Sequence, residues 1–236
     1  MSSSYVASGF AIWKTLAITV PTVVDAVRGK LTVSRCDHRL SDWSTAIVKR
    51  SGIELRVDGL AELPHNRAYI IMSNHQSHLD IPIIFHAWPG TLRMVAKAEL
   101  FRVPLWGRAM REAGFVSVDR SGDRAQAESA MRAAGEAVAR GVSIWIAPEG
   151  TRSQTGKIAR FKKGGFLLAQ STGAPIVPLS IEGSCNILPK HTRVIQTGVP
   201  VRLTFGKPID ARGRKLDELM HQVRTEICAH VTEPQY

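Results

Sequence analysis

His75 and Asp80 lie five residues apart in the segment Ser73-Asn74-His75-Gln76-Ser77-His78-Leu79-Asp80-Ile81-Pro82. A histidine followed by a carboxylate at this distance is half of a proton-transfer machine. A tight turn through Gln76–Leu79 would let Asp80 accept the His75 Nδ1–H. That bond fixes the tautomer, leaves Nε2 free to take a proton and stabilises the imidazolium that results. The usual third partner, a serine on a Gly-x-Ser-x-Gly elbow, occurs nowhere in the chain. A base without its own nucleophile implies that the substrate brings the attacking hydroxyl, and therefore a transferase acting on an alcohol rather than a hydrolase. The alternative for the same residues is a helix-capping aspartate beside a solvent-facing histidine. His75, His78 and Asp80 are also metal-ligand types. A zinc site needs a further strong ligand, however, and the chain offers no second His/Cys cluster, so no metal is expected.

A second polar segment, Ala147-Pro148-Glu149-Gly150-Thr151-Arg152-Ser153, follows the apolar run Ser143-Ile144-Trp145-Ile146. Gly150 lets the backbone turn or approach a ligand closely, and Arg152 offers a planar fork suited to a phosphate. Lys157, Arg160, Lys162 and Lys163 add positive potential before Gly164-Gly165 opens a helix, whose N-terminus favours anions. Lys97 begins a third segment, Lys97-Ala98-Glu99-Leu100-Phe101-x2-Pro104-x2-Gly107, again directly after an apolar run, and is suited to the same phosphate. A fourth, Ile176-Val177-Pro178-Leu179-Ser180-Ile181-Glu182-Gly183, reads as an apolar strand able to line a tunnel for an apolar chain.

Strands must end where these segments begin. Strands are expected over Ile53–Val57, Ala68–Ser73, Leu92–Ala96, Phe115–Val118, Val142–Ala147, Ile176–Ile181 and Val201–Phe205, with Val194 in another short one. Helices are expected over Ile81–Ala87, Leu105–Ala113, Arg124–Arg140, Lys163–Ser171 and Leu216–Val231. Alternation of this kind predicts an α/β fold, a mixed and largely parallel sheet flanked by helices. Polar residues just beyond the strands of such a sheet are where ligands bind.

Residues 1–50 read differently from the catalytic region expected over 51–236. Tyr5–Val27 forms one helix, but Lys14, Asp25 and Pro21 interrupt its apolar character. Its uncharged run from Thr15 to Val24 is shorter than the ~20 residues a membrane span needs, so partial insertion is expected rather than a clean span. A second helix, about Ser34 to Lys49, carries Cys36, Leu40, Trp43 and Ile47 on one face. Arg35, Arg39, Asp42, Lys49 and Arg50 lie on the other. This stripe suits either a bilayer interface or the protein's own core. The 31 Lys and Arg against 20 Asp and Glu give a net charge of +11, which favours anionic partners. Three scattered cysteines point to no disulfide framework and to a reducing compartment.

Together these four blocks resemble those of the glycerolipid acyltransferase superfamily, specifically the bacterial 1-acylglycerol-3-phosphate acyltransferases. Asn-His-x4-Asp matches Asn74, His75 and Asp80. The second block resembles Lys97 to Gly107, Glu-Gly-Thr-Arg matches Glu149 to Arg152, and an apolar run around a proline matches Ile176 to Gly183. The resemblance implies that His75 is the general base for the sn-2 hydroxyl of a lysophospholipid acceptor and that Asp80 orients it. It implies that Lys97 and Arg152 hold the acceptor phosphate while Glu149, Gly150 and Thr151 shape the glycerol site. The hydroxyl would attack the thioester of acyl-CoA or acyl-carrier protein directly, giving phosphatidic acid for phospholipid biosynthesis, with no acyl-enzyme and no cofactor. A lyso-ornithine lipid, another lysophospholipid or glycerol 3-phosphate is the alternative acceptor. The N-terminal helices resemble a two-helix membrane-docking element, which turns the stripe of the second helix toward membrane contact. It also sets the protein, peripheral or monotopic, at the cytoplasmic face of the inner membrane. The positive charge then serves the phosphate, the anionic leaflet and an acidic carrier, and no nucleic-acid partner is expected.

Overall fold

The computed structural model describes residues 2–64, 67–118, 124–153, 156–188 and 192–231. The last five residues of the expected catalytic region therefore lie outside the described part. Seven strands form the main sheet: β2 (Glu54–Asp58), β3 (Ile70–Ser73), β4 (Leu92–Lys97), β5 (Val116–Val118), β6 (Ser143–Ile146), β7 (Ile176–Glu182) and β9 (Pro200–Phe205). Their order is β2-β9-β7-β3-β6-β4-β5. From β7 to β5 every neighbouring pair is parallel, whereas β9 runs antiparallel to β7 and parallel to β2. The sheet is thus mixed and largely parallel, and each main-sheet strand lies within two residues of its expected span.

The central strands read as unbroken apolar runs because both sheet faces are covered. Tyr69, Ile71, Trp145, Val177 and Leu179 project to one side, where α2 (Val33–Arg50) and α3 (Asp80–Ala87) supply Ile47, Val48, Ile83, Ile84 and Phe85. Ile70, Met72, Ile144, Ile146 and Ile176 project to the other, against α6 (Arg124–Ala139), α7 (Gly164–Thr172) and α8 (Leu216–Cys228). Alternate side chains of the same strands thus build two cores.

The N-terminal residues depart from expectation in three ways. Ser2–Ser4 forms a strand, β1, which pairs antiparallel with β8 (Ile195–Thr197) in a separate two-stranded ribbon. The apolar stripe of α2 faces the protein: Cys36 and Ile47 are buried, and Leu40 and Trp43 pack on the core, so this stripe does not meet a membrane. Arg35 and Arg39, on the other face, both hold Asp25 of α1 (Tyr5–Val27), at 3.2 and 2.6 Å, and the Trp43 Nε1–H donates to Thr15 Oγ1 at 3.0 Å. The unpartnered apolar surface belongs instead to α1, where Ile12, Trp13, Leu16 and Val20 are exposed. By length and composition α1 is apolar enough to cross a membrane, despite Lys14, Asp25 and the internal Pro21.

Candidate active site

The parallel arrangement brings the C-terminal ends of β7, β3, β6 and β4 to one edge of the sheet. Asn74-His75, Ala147–Arg152 and Lys97 all leave from this edge. It is the place where open α/β sheets bind ligands.

Asn74 sets the exit from β3. It is fully buried; its Nδ2 donates to the Ile181 oxygen and its Oδ1 accepts from the Ile181 N–H, both at 2.8 Å. The carboxamide thus imitates one more residue of the β3–β7 ladder after the backbone has turned away. On the β6 side the His75 N–H donates to Glu149 Oε1 at 2.9 Å, and the His75 oxygen accepts from the Ser153 N–H at 2.7 Å. Trp145 of β6 donates its Nε1–H to Ser73 Oγ at 2.8 Å and stands edge-on to the His75 ring, with centroids 5.6 Å apart and planes at 88°. Backbone and ring are fixed by different contacts.

His75 Nδ1 lies 2.7 Å from Asp80 Oδ2, so the five-residue spacing does close into the expected contact. The same oxygen accepts the Gln76 and Ser77 N–H groups at 2.7 and 2.9 Å. With two backbone donors already on it, Oδ2 acts as an acceptor toward the ring, which assigns the hydrogen to Nδ1 and leaves Nε2 free to accept. Asp80 is wholly buried in the first turn of α3, where the helix dipole favours its charge, while the His75 side chain keeps 16% of its surface. The pair can therefore hold an oriented imidazole with one free nitrogen.

Glu149 stands where two loops of the site meet. It is 4% exposed; Oε1 accepts from His75 and Oε2 from the Ala159 N–H at 2.7 Å. Burial pushes its pKa up, against the pull of these two backbone donors. Each oxygen thus accepts a backbone N–H, and Glu149 ties two loops of the site together. Arg224 of α8 braces the same loop by donating to the Ile158 and Ala159 oxygens. Gly150 turns with φ +76°, and a Cβ there would meet the Lys162 side chain at 3.0 Å. Thr151, Arg152 and Lys97 are exposed. Arg152 lies near enough to His78 that its charge, after desolvation, helps hold that ring below its ordinary pKa. His75, His78 and Asp80 do not converge on a common point, because Nδ1 and Oδ2 face each other. Among the described residues no cluster of three metal-ligating side chains occurs.

The sequence marks Asn74 only as part of a motif and Trp145 as an ordinary strand residue. The signal for Asn74 was its invitingly polar type at a buried strand end. Nothing local could have found Arg224, which lies 65 residues from the carbonyl of Ala159 that it holds.

Fold and site together define an α/β protein with a histidine–aspartate pair and nearby cations at one parallel-strand edge. Residues 54–182 match the Acyltransferase family, and the chain belongs to that family. It is 34% identical over 176 residues to "1-acyl-sn-glycerol-3-phosphate acyltransferase LPAT1, chloroplastic" of Arabidopsis thaliana, covering 74% of this chain and 48% of that protein. It is 31% identical over 211 residues to the 1-acyl-sn-glycerol-3-phosphate acyltransferase of Saccharomyces cerevisiae, covering 84% and 69%. The chain thus spans about half the length of the chloroplast relative. The crystal structure of the 1-acyl-sn-glycerophosphate (LPA) acyltransferase PlsC from Thermotoga maritima superposes with a TM-score of 0.76 at 27% identity, covering 94% of this chain and 91% of that one.

Proposed function

We propose that the protein transfers a fatty acyl group from acyl-CoA or acyl-carrier protein to the sn-2 hydroxyl of 1-acylglycerol 3-phosphate, giving phosphatidic acid. The observation that carries this reading is the His75–Asp80 contact at 2.7 Å, set on the same strand-end edge as Arg152 and Lys97 in a chain of this family. His75 Nε2 takes the hydroxyl proton as the acceptor oxygen forms its bond to the thioester carbonyl carbon. Asp80 supports the imidazolium. The tetrahedral intermediate then collapses, the C–S bond breaks, and the thiolate receives the proton from His75. No acyl-enzyme forms. The base contributes typically ~10²–10⁴-fold in rate. Holding both substrates in one geometry lowers the barrier further, by roughly 7–11 kcal/mol at most. Arg152 and Lys97 hold the acceptor phosphate, and Gly150 and Thr151 border the glycerol. Residues 1–50 serve as the membrane-associating element through the outer side of α1, at the cytoplasmic face of the membrane, with 51–236 as the catalytic part.

A donor-by-acceptor activity matrix with product lipids identified by mass tests the proposal. Turnover of 1-acylglycerol 3-phosphate that is abolished by His75→Ala is the expected result. Full activity in that variant refutes the base assignment. Indifference to the acceptor's phosphate refutes the roles of Arg152 and Lys97.

A further inference from the structure

The segment from Lys97 to Gly107 builds something beyond a strand end. It forms two short helices, α4 (Ala98–Arg102) and α5 (Trp106–Glu112). Phe101 is buried, and Gly107 packs so closely on it that a Cβ would meet the Phe101 carbonyl oxygen at 1.9 Å. The Gly107 N–H donates to the Val103 oxygen at 2.8 Å, and the Arg111 guanidinium donates to the Phe101 oxygen at 3.0 Å. The two helices are locked as an elbow with Pro104 at its bend.

Leu105 follows with φ +61° and ψ −47°, and the Trp106 N–H reaches back to the Pro104 oxygen at 2.6 Å. This is the crowded form of the γ-turn, which side-chain-bearing residues seldom adopt. Leu105 is the one non-glycine residue with positive φ among the described residues, and it is 57% exposed. Leu100 and Val103 are also exposed. The motif residues Phe101 and Gly107 face inward and make the elbow rigid, while the apolar residues between them face out.

We propose that this elbow is a bilayer wedge. Leu100, Val103 and Leu105 enter the interfacial region of a lipid leaflet beside the outer side of α1, setting the His75 edge of the sheet against the lipid. Three observations select a leaflet as the occupant. The elbow leaves β4 at the edge that carries His75. α5, which directly follows Leu105, packs against α1, whose Ile12, Trp13 and Leu16 are exposed. Lys97, Arg102, Arg108 and Arg111 outnumber Glu99 and Glu112 around it, the sign an anionic leaflet attracts. Strained backbone that holds apolar side chains in water points to a contact made on binding.

The test uses the full chain with phosphatidylcholine vesicles containing phosphatidylglycerol, and measures the thermal midpoint alongside. Leu105→Gly removes the side chain and suits the positive φ. It is expected to keep or raise the midpoint while weakening vesicle partition about tenfold. Leu100→Gln, on exposed α4, is expected to weaken partition several-fold with the midpoint unchanged. The activity readout rests on the acyl-transfer reading: acylation of a vesicle-borne lysolipid falls in parallel, and acylation of a short-chain, water-soluble acceptor stays at the parent's level. Unchanged partition in both variants overturns the wedge. So does lost affinity for acyl-carrier protein with partition intact, which would make the elbow a donor-protein surface. If the parent acylates no lysolipid, the functional reading fails, and the vesicle measurement still decides the wedge.

Discussion

Glu149→Gln distinguishes a residue that touches the acceptor from one that holds the base in place. The substitution keeps the side-chain shape but replaces one acceptor oxygen with an NH2 donor. Either the His75 or the Ala159 N–H, now at 2.9 and 2.7 Å from carboxylate oxygens, then faces a donor. A buried unsatisfied N–H costs about 1–3 kcal/mol. Against this, burial raises the Glu149 pKa, so the ionised carboxylate already carries a cost that a neutral amide removes. We expect a net loss near 1 kcal/mol, or roughly 2–4 °C in the thermal midpoint for a chain of this size. The kinetic effect is larger, because one of the two tethers is on the backbone of His75 itself. Displacing a reacting group by ~1 Å can cost up to ~10²-fold, so kcat should fall by about that factor while KM for the acceptor barely moves. Steady-state kinetics with the acceptor varied provide the assay. A raised KM with kcat preserved would refute the reasoning and return Glu149 to the glycerol site. The pH dependence gives a second reading with a defined sign. A raised carboxylate pKa means the folded state binds the extra proton between the unfolded and folded values. Stability from this group is therefore greatest at acid pH and declines as pH rises through that interval. Chemical denaturation should show the deficit of Glu149→Gln largest below the interval, narrowing through it and smallest above it.

Three other perturbations follow from the geometry. Asp80→Asn keeps the shape but removes the charge that holds Nδ1 protonated, so kcat should fall by up to ~10⁴-fold with little change in KM; single-turnover acylation measures it. Arg152→Ala and Lys97→Ala each remove an exposed cation and should raise the acceptor KM roughly tenfold with kcat kept, and a double-mutant cycle should show coupling if both grip one phosphate. Asp37→Ala leaves the wholly buried Arg93 guanidinium, now 2.5 Å from Asp37, without its counter-charge. Since Asp37 itself is 31% exposed, the low end of the usual cost applies, about 3 kcal/mol in chemical denaturation. Arg93→Met added to that variant should recover much of the loss.

The main-sheet strands were legible because a strand buried on both faces has a continuous apolar signature. Ile70-Ile71-Met72 and Ile144-Trp145-Ile146 show it plainly, and polar residues directly beyond them marked the edge of the sheet. The β1–β8 ribbon was not legible, because Ser2–Ser4 has no strand signature and its pairing spans 195 residues between Ser2 and Thr197. The stripe on α2 showed that one face is apolar but not what covers it; Arg39 and Trp43 reach α1 through partners that periodicity does not reveal. The Arg93–Asp37 pair, 56 residues apart, was likewise invisible to local pattern. The backbone partners of Glu149 were not legible, because a carboxylate in a polar loop looks the same whether it faces a ligand or two backbone donors.

The same distinction sorts the whole site. Asn74, Ser73, Asp80 Oδ2 and Glu149 are engaged with backbone or indole N–H groups, or with the imidazole they orient. These bonds hold the turn after β3 between β7 and β6. Buried polar groups of this kind are costly when unpaired, and all but Asp80 Oδ1 have a partner. His75 Nε2, Arg152 and Lys97 stand outside that network, on the exposed side of the same edge. In the proposed reaction the base must be oriented before substrate arrives, whereas the cations proposed to hold phosphate must remain free until it does. Substitutions inside the network should therefore act mainly on kcat through the placement of His75, and those outside it mainly on KM. Residues close together in the sequence, such as Glu149 and Arg152, fall on opposite sides of that division, so the hydrogen-bond network separates what the motif joins.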